Sequence, residues 1–168
     1  NKRNQLFGAY ECGDITSAEF RNAVRSMCTT NCSDNEIDAI WNAMLVAIPI
    51  EKLHFLIELR KRYKVYLLSN TNEIHWDYIV AHFFEQQGIK PEACFDYIFL
   101  SYKMKEKKPN SAIYQKALET GNMRPEETLF IDDLKENCQA AAALGIQTIH
   151  FTPGRSLPAA VCNFLTTQ

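Results

Sequence analysis

An α/β fold with a doubly wound parallel sheet, preceded by a small helical module, is what this sequence predicts, and three observations predict it. From Glu51 onward, strand-like and helix-like segments alternate. The strand-like runs are apolar at every position rather than at every second one, as strands covered on both faces are. Before residue 49 the pattern is different: two capped amphipathic helices and no strand.

Thr16 and Glu19 have the spacing of a capping box, and Phe20, Ala23, Val24 and Met27 follow at i, i+3, i+4 and i+7. Ser33 and Glu36 repeat the device ahead of Ile37, Ile40, Trp41, Met44 and Leu45, and Pro49 ends that stripe. Residues 1–48 therefore read as a helical pair too small to fold alone. Trp41 has two readings, as a packing residue of the stripe or as a ring facing a ligand crevice. Residues 49–168 carry the α/β core. A helix with Leu53, Leu56, Leu59 and Tyr63 inward leads to the strand Val65–Leu68. A helix from Glu73 follows, with Ile74, Tyr78 and Ala81 on one side. Then come a strand at Tyr97–Leu100, a helix at Ser111–Leu118, a strand at Thr128–Ile131, an alanine-rich helix, and a strand at Thr148–Phe151.

The 168 residues are 46% hydrophobic, enough for one core with a small appended module. With 18 basic against 20 acidic side chains, the net charge of −2 leaves no electrostatic footprint for nucleic acid or an anionic membrane. No apolar run reaches membrane-spanning length, and no signal-peptide pattern opens the chain. The six cysteines are scattered, and Cys28 and Cys32 lack a second ligand pair for zinc. Buried free thiols in a reducing, cytoplasmic setting are the expectation.

In open parallel sheets, ligands bind where strands end. Val65–Leu68 exits into Ser69-Asn70-Thr71-Asn72, which offers a hydroxyl, an amide and helix-start N–H groups to a phosphate oxygen. The same residues are ordinary helix caps, so the turn alone does not separate the two readings. The second exit leads to Lys103, Lys105, Lys107, Lys108 and Pro109. A lysine there can neutralise a phosphate or a carboxylate, or simply be solvated. Asp132-Asp133 follows the third apolar run and is the sharpest signal. Two adjacent carboxylates after a buried strand are costly unless something positive compensates them, and hard oxygen ligands suit Mg²⁺. If metal alone makes them tolerable, Asp132→Asn should leave the fold intact. The alternative is a helix cap and dipole partner for a helix starting near Lys135. An anion-and-metal crevice accounts for all three exits at once.

These residues resemble the motifs of the haloacid dehalogenase superfamily of hydrolases. Leu67-Leu68-Ser69-Asn70-Thr71-Asn72 is similar to the second motif, and Lys108-Pro109 with Ile113-Tyr114 to the third. Phe130-Ile131-Asp132-Asp133 with Glu136-Asn137 and Gly145 is similar to the fourth. The helical pair resembles the small cap of that superfamily, and Trp41-Asn42-Ala43-Met44 with Ile48-Pro49 resembles the branch of sugar phosphatases and epoxide-hydrolase amino-terminal domains. The resemblance implies a Rossmann-like core under a small helical cap, and hydrolysis of a small phosphorylated metabolite. Ser69 and Asn70 would hold the phosphoryl group, and Lys108 would stabilise its charge. Asp132 would ligate Mg²⁺ directly, and Asp133 would support it through water.

The first motif of the family, an apolar strand ending in Asp-x-Asp that carries the nucleophile, does not precede Asn1. Asp14 follows no apolar run and does not replace it. The resemblance places that strand between those ending at Ser69 and Asp132, so the core 49–168 reads as lacking its first strand. The expectation is an upstream segment with the nucleophilic aspartate, and no hydrolysis by residues 1–168 alone. The alternative is a non-catalytic relative that binds a phosphorylated ligand or a partner protein.

Overall fold

Three helices, not two, precede Pro49 in the computed structural model, which describes residues 2–166: α1 (Lys2–Glu11), α2 (Ser17–Arg25) and α3 (Asp34–Asn42). The unexpected one, α1, has no legible cap and carries Gly8 inside it. Tertiary packing holds it. Leu6, Phe7 and Tyr10 lie against Phe20, whose ring is fully buried and stacks on Tyr10 at 4.3 Å. Both capping boxes form: the Glu19 carboxylate accepts from the Thr16 N–H at 2.7 Å, and that of Glu36 from the Ser33 N–H at 2.8 Å. The second stripe is narrower than expected. Ile37 is buried and Trp41 half-buried, but α3 stops at Asn42, leaving Ile40 71% and Met44 60% exposed. Met27, beyond the end of α2, is also exposed. The loop after α1 approaches another backbone closely at Gly13. With φ +66, a Cβ there would lie 2.2 Å from the Tyr102 carbonyl oxygen.

Next come α4 (Ile50–Leu59), β1 (Tyr66–Ser69) and α5 (Glu73–Ile79), which runs on through a π-helical turn, Val80–Phe84, and a 3₁₀ turn, Glu85–Gln87. Then α6 (Pro91–Cys94), β2 (Tyr97–Leu100) and α7 (Ser101–Met104) follow. Tyr63 lies past the end of α4 and is exposed, and Ala81 is exposed as well, so neither joins the expected apolar faces. Strands β1 and β2 pair in parallel, Tyr66 opposite Tyr97 through Ser69 opposite Leu100. Asp96 pins the start of the pair: its N–H donates to the Val65 carbonyl at 2.7 Å, and its carboxylate accepts the Val65 N–H at 2.9 Å. Leu53, Val65, Phe84, Cys94 and Phe95 form the core beneath.

The described residues divide into two compact units, one through Lys107 and one from Lys108. Helices α1 to α3, the expected cap, lie in the first unit with β1 and β2. The second unit holds α8 (Ser111–Gly121), a 3₁₀ turn at Pro125–Glu127, β3 (Leu129–Asp132), α9 (Lys135–Ala142), β4 (Gln147–His150) and α10 (Leu157–Thr166), the last of which the sequence pattern did not disclose. Strands β3 and β4 pair in parallel, and no further strand joins either pair among the described residues. Buried Ile113, Tyr114, Ala117, Cys138, Ala141, Ile146 and Val161 form the interior of the second unit. No helix among the described residues is long and apolar enough to cross a membrane. The cysteines are free, but only Cys94 and Cys138 are buried; Cys28 and Cys162 are exposed, against the expectation of buried thiols.

Candidate active site

Ser69, Asn70, Asp132 and Asp133 sit at or just beyond the carboxyl end of a parallel strand, and Lys108 lies on the loop after α7. Ser69 ends β1 and Asn70 follows it, both half-buried. The next residue, Thr71, is tied on both sides to the fully buried Ser101, which follows β2 and starts α7. Ser101 Oγ accepts the Thr71 N–H at 2.9 Å and donates to the Thr71 carbonyl at 2.9 Å. Asn72 caps α5 by accepting the His75 N–H at 3.1 Å.

In the second unit, Asp132 ends β3 and Asp133 follows it. Lys108 Nζ lies 2.7 Å from Asp132 Oδ2, and both side chains are nearly enclosed. The other oxygen, Oδ1, accepts from the Leu134 N–H at 2.8 Å and from Asn137 Nδ2 at 2.9 Å. Burial raises the Asp132 carboxyl, but the Lys108 ammonium and these two N–H donors outweigh it, so the group is held below the usual carboxylate value. The positive partner that two adjacent carboxylates require is thus supplied by the protein itself. This corrects the expectation that metal alone makes the pair tolerable, which was the reason for expecting Asp132→Asn to leave the fold intact. Lys108 Nζ also lies 5.5 Å from the Phe130 ring centre, and Tyr114 meets that ring edge-on. The Tyr114 hydroxyl donates to the Asn137 carbonyl at 3.0 Å, fixing the start of α9 behind Asp132.

Asp133 is exposed, and its backbone carbonyl accepts from His150 Nε2 at 3.0 Å. The remaining lysines of the loop are spoken for. Lys105 donates to the Gly13 carbonyl, Lys107 pairs with Glu11 at 3.0 Å, and Lys103 lies over the Tyr102 ring. So the structure brings Lys108, Asp132 and Asp133 together in one unit, and puts Ser69 and Asn70 on the turn of the other. Two contributors went unrecognised in the sequence: the backbone N–H of Leu134, which has no signature, and the Asn137 side chain, visible only as a motif residue without a role.

The donor set fits Mg²⁺. Asp132 and Asp133 put two adjacent hard-oxygen carboxylates at one strand exit, and Mg²⁺ takes one or two protein carboxylates and keeps several waters. The Asn137 Oδ1 atom is buried without a hydrogen-bond partner beside this carboxylate pair. A profile of the haloacid dehalogenase-like hydrolases matches residues 52–151. This chain belongs to that family. Within the haloacid dehalogenase-like hydrolases, a D-ribitol-5-phosphate phosphatase of Bacteroides thetaiotaomicron is 30% identical over 143 residues, spanning 85% of this chain and 69% of that protein. A family enzyme of the same organism, crystallised with magnesium and inorganic phosphate, is 43% identical with a TM-score of 0.89, over 92% of this chain and 78% of that one. A predicted family hydrolase from Porphyromonas gingivalis is 31% identical with a TM-score of 0.90, over 97% and 80% of the two chains.

Proposed function

We propose that this hydrolase is a Mg²⁺-dependent phosphomonoesterase acting on a small soluble phosphorylated metabolite. The observation that carries the reading is the buried Lys108–Asp132 pair beside the exposed Asp133 at the exit of β3. A similar protein named as a D-ribitol-5-phosphate phosphatase, and another crystallised with magnesium and inorganic phosphate, support the same reaction class. Sugar and polyol phosphates are therefore the first esters to test.

On this reading, the nucleophile is an aspartate on a strand upstream of residue 1. Its carboxylate oxygen attacks phosphorus, the ester P–O bond breaks, and the departing alkoxide takes a proton from the acid of the same Asp-x-Asp motif. Water then attacks the phospho-aspartate, releasing inorganic phosphate and restoring the carboxylate. Ser69 and Asn70 hold the non-bridging oxygens, and Lys108 neutralises charge on the phosphoryl group and the nucleophile. Both oxygens of Asp132 already serve Lys108, Leu134 and Asn137, so its part is to aim the lysine. Asp133 takes the direct metal contact instead. Bound Mg²⁺ supplies charge neutralisation to the phosphoryl oxygens. Helices α1 to α3 act as the cap that restricts access.

A screen of phosphate release from sugar, polyol and other small phosphate esters, on the full-length protein, tests the reading. The expected result is Mg²⁺-dependent release abolished by chelation, and none from residues 1–168 alone. Absence of release from every ester with Mg²⁺ present would favour the non-catalytic binding module.

A further inference from the structure

Asn72 does far more than cap a helix. An N-cap needs one acceptor, and a serine would serve as well. Yet this amide is buried to within 1% of its surface and uses both of its ends. Oδ1 accepts the His75 N–H at 3.1 Å and the Trp41 Nε1–H at 3.3 Å, and Nδ2 faces His75 Nδ1 at 3.2 Å. On the far side of the imidazole, Nε2 lies 3.0 Å from the Trp41 carbonyl. A carbonyl only accepts, so Nε2 carries the proton and Nδ1 is the acceptor for Asn72. Each contact in this circuit then joins a donor to an acceptor, which also fixes the orientation of the amide. The Trp41 indole stacks on the His75 ring at 4.9 Å and 16°, and it meets Phe7 and Phe20 in tilted contacts. The circuit closes on itself.

This circuit joins the end of α3 to the residue two positions after Asn70. The intervening Thr71 is pinned through both backbone groups by Ser101. Ser69 and Asn70 therefore sit on a turn clamped immediately downstream by two independent devices, one of which belongs to the helical module. We infer that Trp41, Asn72 and His75 are positioning residues that set the Ser69–Asn70 turn for phosphate and couple it to the seating of α1 to α3. This assignment rests on the phosphomonoesterase reading. Tight placement matters because displacement of about 1 Å in such groups costs roughly a hundredfold in rate.

The test uses two variants of the full-length protein. Trp41→Phe keeps an aromatic ring but removes the donor to Asn72, and Asn72→Ser keeps the cap but removes the links to Trp41 and His75. Each should raise the Kd of inorganic phosphate and lower kcat/KM about tenfold, the loss expected for one well-placed hydrogen bond. Mg²⁺ affinity should stay within about twofold of the parent. Nitrogen-15 spectra should show the neutral Nε2–H tautomer of His75 in the parent, kept in Asn72→Ser by the Trp41 carbonyl, with the Nδ1 resonance shifted there because its donor is gone. Variants that melt earlier yet bind phosphate and turn over like the parent would overturn the positioning role and leave packing alone. A parent that neither binds phosphate nor releases it would overturn the hydrolase reading and this inference together.

Discussion

Removing both partners of the Lys108–Asp132 pair should destabilise the protein by clearly less than the sum of removing each alone. The two side chains are only 10% and 6% exposed and meet at 2.7 Å. Deleting one member of a buried pair typically costs about 3–5 kcal/mol, because the other charge is left without its partner. Lys108→Met leaves the carboxylate with the Leu134 and Asn137 N–H donors, which puts it at the low end, about 3 kcal/mol. In Asp132→Asn the new amide can satisfy Leu134 and Asn137 through its oxygen, but its NH₂ then faces the ammonium, donor against donor. A similar loss of about 3 kcal/mol follows. In the double variant no buried charge remains, and the methionine fills the space of the lysine stem beside Phe130. A coupling of about 2 kcal/mol is expected, so the double variant should be less stable than the parent by well under the sum of the singles. Urea and thermal denaturation of the full-length protein in chelator measure the cycle. Each single variant should melt roughly 10 °C early for a chain of this size. Additivity of the two losses to within about 0.5 kcal/mol would refute the argument that Lys108 compensates Asp132.

Asp133→Asn should weaken Mg²⁺ binding by more than about tenfold and leave the melting temperature nearly unchanged, since the side chain is exposed; equal affinity by calorimetry would remove Asp133 as the direct ligand. Burial raises the Asp96 carboxyl, but the Val65 N–H, Arg60 and Lys64 outweigh it and bring it to about 2 from 3.8. Its folded value is depressed, so its contribution is present above about pH 4 and is lost as the pH falls toward 2. Asp96→Asn should therefore lower stability at neutral pH and flatten the stability profile between those values, and parallel profiles for parent and variant would contradict this. Ser101→Ala should cost about 2 kcal/mol in urea, because it strands the Thr71 N–H and carbonyl in a buried place; a loss under about 0.5 kcal/mol would mean that the turn repairs itself.

The legible parts of the fold were those that a local pattern decides. Both capping boxes occur where Thr16-x-x-Glu19 and Ser33-x-x-Glu36 put them, because the partners are three residues apart. The strand at Tyr97–Leu100 matched to the residue, and the other strands shifted by one. What failed depended on distant partners. Helix α1 has neither a cap nor a clean stripe, and becomes definite only because Phe7 and Tyr10 meet Phe20 from another helix. The stripe of α3 was drawn too wide for the opposite reason. Ile40 and Met44 fit the periodicity, but among the described residues no element covers them and they stay exposed.

The site divides along the same line. Its residue types and their strand-end positions were visible, because a carboxylate pair after a buried strand is improbable without a purpose. Their division of labour was not. From sequence, Asp132 and Asp133 are two equivalent carboxylates, and the first seemed the natural metal ligand. The structure makes them unlike: one is enclosed with both oxygens engaged, and the other faces outward. That asymmetry follows from the chain leaving β3 between them, with Asp132 its last residue and Asp133 on the bend beyond, together with a lysine 24 residues away that pairs with Asp132. The same logic governs Asn72, which reads as a plain cap until Trp41 arrives from α3 to donate to its oxygen, while the ring of His75, three residues on, accepts from its amide nitrogen. In both places the residue type is set locally, and the role is set by which distant donor reaches it first.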